Sequence, residues 1–226
     1  MVGGDNGHVP RSLRVLTVNV RQLKDDRAAL LAVLRRTAAD VVAVQEPPRG
    51  PWGPGRLRRL ARQAGFVPAV LGGGARTTAL LVHEGVDWRA PRAVRLSWRP
   101  GSTRRGLAVA DVAGVRVISA HLSLTGPERL RHADRLLRVV ASSPGPCVVA
   151  GDLNEEPGGP TWRTLLRHLN DVTAGIGPTF PARRPRRRLD AVLVTGGLTG
   201  SAARVVRDDG TAGASDHLPV VVDLAW

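Results

Sequence analysis

Cys147-Val148-Val149-Ala150-Gly151-Asp152-Leu153-Asn154 opens with four apolar residues in a row, then a glycine, then two side chains able to bind a cation or move a proton. A strand with water on one face alternates apolar and polar side chains. An unbroken apolar run therefore suits a strand buried on both faces. Working outward, the same kind of run recurs at Leu13–Val20, Val41–Val44, Thr78–Val82, Leu107–Val112, Val115–Ala120, Ala191–Val194 and Leu218–Leu224. These runs predict the strands of a sheet system covered on both sides.

Between them the period changes to that of a helix. In 25–39, Leu30, Leu31, Val33 and Leu34 form one stripe with Arg35 and Arg36 outside it; in 128–141, Leu130, Ala133, Leu136, Leu137 and Val140 do the same. Shorter helices are predicted over 56–63 and 162–169, the second introduced by Pro160 and Thr161. Pro47–Gly55 and Gly175–Arg188 read as loops. Strands and helices interleaved in this way give an α/β (α+β) layered domain with mixed sheets. A length of 226 residues with 42% apolar content supports one domain. Its expected span is 13–226, with residues 1–12 as a flexible tail that has no apolar core of a signal peptide.

The chemistry lies where the runs end. Asn19 follows Val15–Val18, Glu46 follows Val41–Gln45, His121 follows Val117–Ala120, and Asp152 and Asn154 follow Cys147–Gly151. Asp190 and the pair Asp216-His217 precede strands instead. If those last strands run antiparallel to the others, all eight residues come to one edge, where ligand sites of α/β sheets are found. Taken one at a time, each has a plain structural use, because Asn and Asp beside strands commonly form turns.

In combination and order, however, the chain resembles the endonuclease/exonuclease/phosphatase superfamily. The matching segments are Leu16-Thr17-Val18-Asn19, Val44-Gln45-Glu46, Ser119-Ala120-His121-Leu122, Gly151-Asp152-Leu153-Asn154, Arg188-Leu189-Asp190 and Ser215-Asp216-His217-Leu218-Pro219. The resemblance implies a four-layered sandwich, with two central mixed β-sheets flanked by helices, and a divalent-metal-dependent phosphoester hydrolase. It further implies Glu46, Asn19 and Asp216 as ligands of Mg²⁺ or Mn²⁺. His217 would be a general base or phosphate-polarising group held by Asp190, Asp152 would orient water or protonate the leaving group, and Asn154 would bind phosphoryl oxygens. His121, in a chain with no Tyr, weighs against the AP-endonuclease branch of that superfamily. Relatives often carry a carboxylate just before the strand that begins here at Thr78. This chain has Arg76-Thr77 instead, which leaves His121 without that partner.

Composition bears on the substrate. The formal charge is +14, and only Lys24 among 33 basic residues is a lysine. Such a balance fits a nucleic-acid or other phosphorylated partner, and equally a coding bias toward Arg, Ala, Gly and Pro. Arg183, Arg184 and Arg186, in a run of five arginines ending at Arg188, are candidate substrate contacts, since a guanidinium binds phosphate through paired hydrogen bonds. Aromatic content is 3%, so large platforms for stacking bases are not expected. Two enzyme readings follow: a phosphodiesterase or nuclease on nucleic acid, and a phosphatase or sphingomyelinase-like phospholipase C on a smaller or lipid phosphoester. A non-catalytic module predicts an eroded site, which the intact segments oppose. The single cysteine excludes an internal disulfide, no run approaches a membrane span, and no obligatory protein partner is indicated. A cytoplasmic location is the resulting expectation.

Overall fold

The computed structural model describes residues 11–208 and 210–226; most of the expected leading tail, residues 1–10, lies outside the described residues. Among the described residues, twelve strands form two six-stranded mixed sheets. The first contains β1 (Ser12–Asn19), β2 (Val41–Gln45), β3 (Phe66–Val70), β4 (Thr78–His83), β11 (Thr199–Val205) and β12 (Val220–Ala225), in the order β11-β12-β1-β2-β4-β3. The second contains β5 (Trp88–Arg95), β6 (Gly106–Val112), β7 (Val115–His121), β8 (Cys147–Asp152), β9 (Asn170–Asp171) and β10 (Asp190–Val194), in the order β5-β6-β7-β8-β10-β9. Helices α1 (Arg27–Arg36), α2 (Gly53–Gln63) and α5 (Thr211–Ala214) lie with the first sheet, and α3 (Gly126–Ala141) and α4 (Pro160–Leu165) with the second.

Successive residues of one strand enter different cores, which is why the runs are apolar throughout. Val148 and Ala150 pack between the two sheets, whereas Cys147 and Val149 pack under α3 and α4 beside Leu136 and Trp162. In β2, Val41 and Ala43 face the inter-sheet core, while Val42 and Val44 face Leu30, Val33 and Leu57 of α1 and α2. Three apolar layers separating four layers of backbone are the expected sandwich.

Four strands that the apolar pattern does not reveal are β3, β5, β9 and β11, and each is at a sheet edge. β5 is mostly exposed and is interrupted by a bulge between Arg89 and Arg92, and β11 is likewise mostly exposed and bulged between Ser201 and Arg204. Edge strands lack a second covered face and are commonly bulged, so their sequences carry neither a continuous run nor strict alternation. The loop expected over 47–55 is shorter than read, because α2 starts at Gly53.

Topology determines which ends meet. β1 and β2 are parallel, as are β7 and β8, while β12 is antiparallel to β1 and β10 antiparallel to β8. The C-terminal ends of β1, β2, β7 and β8 therefore share one rim with the N-terminal ends of β10 and β12.

Candidate active site

Register alone lines up one row of the site. His121 pairs with Asp152 across β7 and β8, and Asp152 pairs with Asp190 across β8 and β10. The close approach of β7 to β8 needs a glycine: a Cβ on Gly151 would collide with the backbone carbonyl of Ala120. In the other sheet Asn19 pairs with Gln45, which places Glu46 one residue beyond, with φ at +50°. The two rows are tied beneath the rim by buried polar groups. Thr17 Oγ1 donates to Gln45 Oε1 (3.1 Å), Gln45 Nε2 donates to Ser119 Oγ (3.3 Å), and Ser119 Oγ donates to Val44 O (3.0 Å).

His217 crosses from the first sheet to the second. Its Nδ1 lies 2.8 Å from Asp190 Oδ2, its Nε2 lies 3.8 Å from Asp152 Oδ2, and its ring rests against Phe180 at 4.7 Å between centroids. Thr179 Oγ1 donates to the same Asp190 oxygen at 2.6 Å, so the carboxylate is held from two sides. Burial by itself would push the His217 pKa down, but the charge and hydrogen bond of Asp190, with Asp152 and Asp216 nearby, carry it up to about 9. The ring is therefore cationic at neutral pH. Asp152 is buried and faces Asp190, and these two causes in that order push its pKa up to about 7 against the pull of His217. A carboxylate poised near neutrality beside an imidazolium can take or give a proton under physiological conditions.

His121 has the opposite character. Burial, then the charges of Arg105, His217 and Arg49, hold its pKa well below the usual histidine range, so it is neutral. Its Nε2 is 3.5 Å from Asp152 Oδ2, while Nδ1 is buried with no hydrogen-bond partner among the described residues. From the segment before β4, where relatives often carry a carboxylate, only the Thr77 backbone acts on His121 among the described residues, raising its pKa against the burial.

Asn19 and Glu46 come together, with Asn19 Nδ2 at 3.5 Å from Glu46 Oε1. Asp216 joins them through Arg21, whose backbone N–H donates to Asn19 Oδ1 (3.0 Å) and whose Nε lies 3.4 Å from Asp216 Oδ2. Glu46 is half-buried and makes no ion pair among the described residues, despite the excess of arginine in this chain. Asn154 has φ at +52°; its N–H donates to Asp152 Oδ1 and its Nδ2 to Leu122 O, both at 2.8 Å. Six of the ten non-glycine residues with positive φ among the described residues are Arg21, Gln22, Leu23, Glu46, Arg76 and Asn154, in loops at or next to this rim. Such backbone strain persists where surrounding structure holds it, often at functional sites.

Arg183, Arg184 and Arg186 are exposed on a turn closed by the Phe180–Arg187 bridge, without carboxylate partners among the described residues. The turn is anchored to the site, since Phe180 packs on His217 and Ala182 N–H donates to Asp216 O. Arg187 and Arg188, in contrast, are paired with Glu156 and Asp171.

Sequence reading missed Arg105, Thr179 and Arg21. Arg105 is buried just before β6, donates from Nη1 to His121 O at 3.3 Å, and feels the carboxylates of both Asp152 and Glu46. It stands directly before β6, but in an arginine-rich chain that position did not mark it out. Thr179 sits in an irregular segment and carried no signal.

The loop between β5 and β6 that carries Arg105 is tied to α3. Glu128 accepts from Ser123 Oγ (2.6 Å) and Ser102 Oγ (3.0 Å), and His132 Nε2 donates to Ser97 O at 2.9 Å. Burial first, with the charges of Arg105 and Arg131 adding, lowers the His132 pKa against the raising effects of Ser97 and Glu128. The unfolded chain then takes up a proton at higher pH than the folded one. The contribution of His132 to stability is complete above about pH 6.5 and is lost as pH falls below it, at up to about 1.4 kcal/mol per pH unit. H132Q, which keeps a donor for Ser97 O, is expected to flatten the urea-unfolding free energy between neutral and mildly acidic pH. A profile as steep as wild type would disprove it.

A family model described as the Endonuclease/Exonuclease/phosphatase family matches residues 16–217. No curated protein sequence matches the chain. Among solved structures, the endonuclease/exonuclease/phosphatase from Beutenbergia cavernae DSM 12333 is similar at 28% identity and a TM-score of 0.72, covering 95% of this chain and 72% of that one. The mannosyl-6-phosphatase Bt3783 of Bacteroides thetaiotaomicron VPI-5482 is 15% identical with a TM-score of 0.75, over 95% of this chain and 100% of that one. TDP2 of D. rerio, complexed with single strand DNA product, is 17% identical with a TM-score of 0.74, over 94% and 98%. At those last two identities the likeness is one of fold.

Proposed function

The chain belongs to the endonuclease/exonuclease/phosphatase family and is a phosphoesterase, and on that premise we propose that it is a divalent-cation-dependent phosphodiesterase acting on nucleic acid. The observation that carries the reading is the convergence of Asp152, Asp190 and His217, whose ligand-capable atoms all lie within 4.8 Å of one another, on a rim shared with Asn19 and Glu46.

The donor set fits a hard cation. Among the described residues, Glu46 offers a half-buried carboxylate without a basic partner, Asn19 an amide oxygen, and Asp216 a carboxylate held only by Arg21 and Ser215. Oxygen donors of this kind suit Mg²⁺ or Mn²⁺. When bound, the cation neutralises phosphoryl charge. We assign Asp152, Asp190 and His217 to proton handling rather than to the cation, because His217 is charged and donates to Asp190.

In this reading Asp190 and Thr179 fix the orientation of His217, whose Nε2–H donates to a phosphoryl oxygen. Asp152 exchanges a proton with water or with the departing oxygen. Asn154 spends one amide N–H on Leu122 O and offers the other to the phosphate, and Arg105 balances the buried carboxylates from behind. Arg183, Arg184 and Arg186 bind phosphates further along the substrate. The half-open cavity that begins at Pro47, next to Glu46, also accommodates a second reading, a phosphatase or phospholipase-C-like enzyme on a smaller or lipid phosphoester, and the fold is shared with a mannosyl-6-phosphatase.

A panel of single-stranded DNA, duplex DNA, RNA, sphingomyelin and sugar and inositol phosphates, assayed with Mg²⁺, separates the two. Nucleic acid is expected to be cleaved with the highest kcat/KM. R183A/R184A/R186A is expected to raise KM on nucleic acid and lower the slope of log KM against log salt by about 2, at roughly 0.7–0.9 per phosphate contact. Turnover confined to a phosphomonoester or lipid, or an unchanged slope, would overturn this reading.

A further inference from the structure

Three loops around the rim line a half-open cavity of about 610 Å³, and each reaches the site within one residue. Pro47 follows Glu46, Arg76 precedes Thr77, and Arg104 precedes Arg105. Thr77 O accepts the backbone N–H of Glu46, so the cavity wall and the cation-binding carboxylate share a hydrogen bond.

The lining combines two kinds of chemistry. Arg49, Arg76 and Arg104 are exposed and, like most exposed arginines of this chain, have no carboxylate partner among the described residues; what sets them apart is that all three line one hollow. Between them Pro48, Leu57 and Leu71 give an otherwise polar lining an apolar patch. Three guanidinium groups gathered around a hollow with an apolar patch match a ligand that is itself anionic and part apolar.

Two tryptophans adjoin lining residues without themselves lining the cavity. Trp52 is 81% exposed, between Gly50 and Pro54, both of which line the cavity. Trp98 donates from Nε1 to Ser102 O at 2.8 Å, and its ring carries the Arg104 guanidinium at 4.4 Å, which fixes that cation at the cavity wall. Low aromatic content argued against stacking platforms, yet the folded chain leaves an indole exposed on a loop with other residues that line the cavity.

We propose that this cavity receives the unpaired nucleotide next to the scissile phosphate, with Arg49, Arg76 and Arg104 on its phosphate and Trp52 against its base, so that the substrate is single-stranded nucleic acid. The inference rests on the phosphodiesterase reading and makes it specific. In a duplex each base is paired and stacked, and cannot enter a hollow lined in part by Pro48, Leu57 and Leu71 without leaving its partner. A single strand has no such cost and is bound by this combination of guanidinium and aromatic faces.

The test uses the full chain and a fluorescein-labelled phosphorothioate oligonucleotide in EDTA, read by fluorescence anisotropy. Wild type is expected to bind the single strand at least about tenfold more tightly than its duplex. R49A/R76A/R104A is expected to lose about tenfold or more and to lower the salt slope by about 2. R89A/R92A/R204A removes the same charge from the two edge strands β5 and β11 and is expected to lose less than about twofold. W52A is expected to weaken binding severalfold and W52F to retain most of it.

Equal or tighter binding of duplex, an equal loss in the two triple variants, an unaffected W52A, or binding to phosphatidylserine vesicles with none to the strand would overturn the proposal. Thermal melts accompany each variant, and R49A and R104A singly carry the test if the triple variant does not fold. Hydrolysis of bis(p-nitrophenyl) phosphate with Mg²⁺ is measured in parallel. Its absence in wild type would sink the phosphodiesterase reading while strand binding still decided the cavity.

Discussion

D152N is expected to lower kcat by about two to four orders of magnitude while making the metal-free protein more stable at pH 8. The buried Asp152 carboxyl, facing Asp190, has its pKa pushed up to about 7 from the ordinary 3.8. A folded-state pKa above the unfolded one means that the folded chain holds the proton more tightly. Ionising Asp152 therefore destabilises the fold progressively as pH rises from about 4 to 7, and the full penalty is present at pH 8. Asparagine keeps the acceptor for Asn154 N–H and removes the charge. The gain should be on the order of 1 kcal/mol or more, read as a rise in Tm of about 2–4 °C per kcal/mol. At pH 4, where the wild-type carboxyl is protonated, the two proteins should melt alike. A purely structural role for Asp152 predicts the reverse, with stability lost and activity partly kept. A D152N protein that turns over at near wild-type rates would remove the proton-transfer role assigned to this residue.

Removal of divalent cations is expected to abolish turnover in EDTA, with recovery on adding Mg²⁺ or Mn²⁺. E46A is expected to raise the cation concentration for half-maximal activity by at least about tenfold, since even groups that only support a ligand are worth that much. A second readout does not depend on activity. A cation that binds only the folded chain stabilises it by mass action, so wild-type Tm should climb with Mg²⁺ concentration and that of E46A should not. Asn19 touches Glu46 at 3.5 Å, so N19A should shift the same titration by less. Full activity in EDTA, or a Tm in E46A that climbs as in wild type, would separate Glu46 from the cation.

Asp152 and Glu46 are both legible in the amino-acid sequence, because each stands where an apolar run stops. The runs themselves are legible for one physical reason: strands such as β2 and β8 are covered on both faces, so every residue along them is drawn toward apolar character. Edge strands such as β5 and β11 are exposed and bulged, and they become strands only by pairing with a neighbour. The cavity beside Glu46 is illegible for a similar reason. Arg49, Arg76 and Arg104 lie far apart in sequence and have nothing in common until three loops bring them to one hollow. Arg105 reads as one more arginine in an arginine-rich chain until it is seen buried against His121 O.

The amino-acid sequence by itself determined the layered architecture and the chemical groups on the rim, because double-sided burial and strand-end placement leave a one-dimensional trace. Tertiary structure alone decided the relations among those groups. The separation of 2.8 Å between His217 and Asp190, the opposite charge states of His217 and His121, and the indole beside the cavity all depend on distance and burial. Desolvation and Coulomb terms are set by which charges end up close together in space, and residues 27 positions apart in sequence, as His217 and Asp190 are, become neighbours only when the two sheets close on each other.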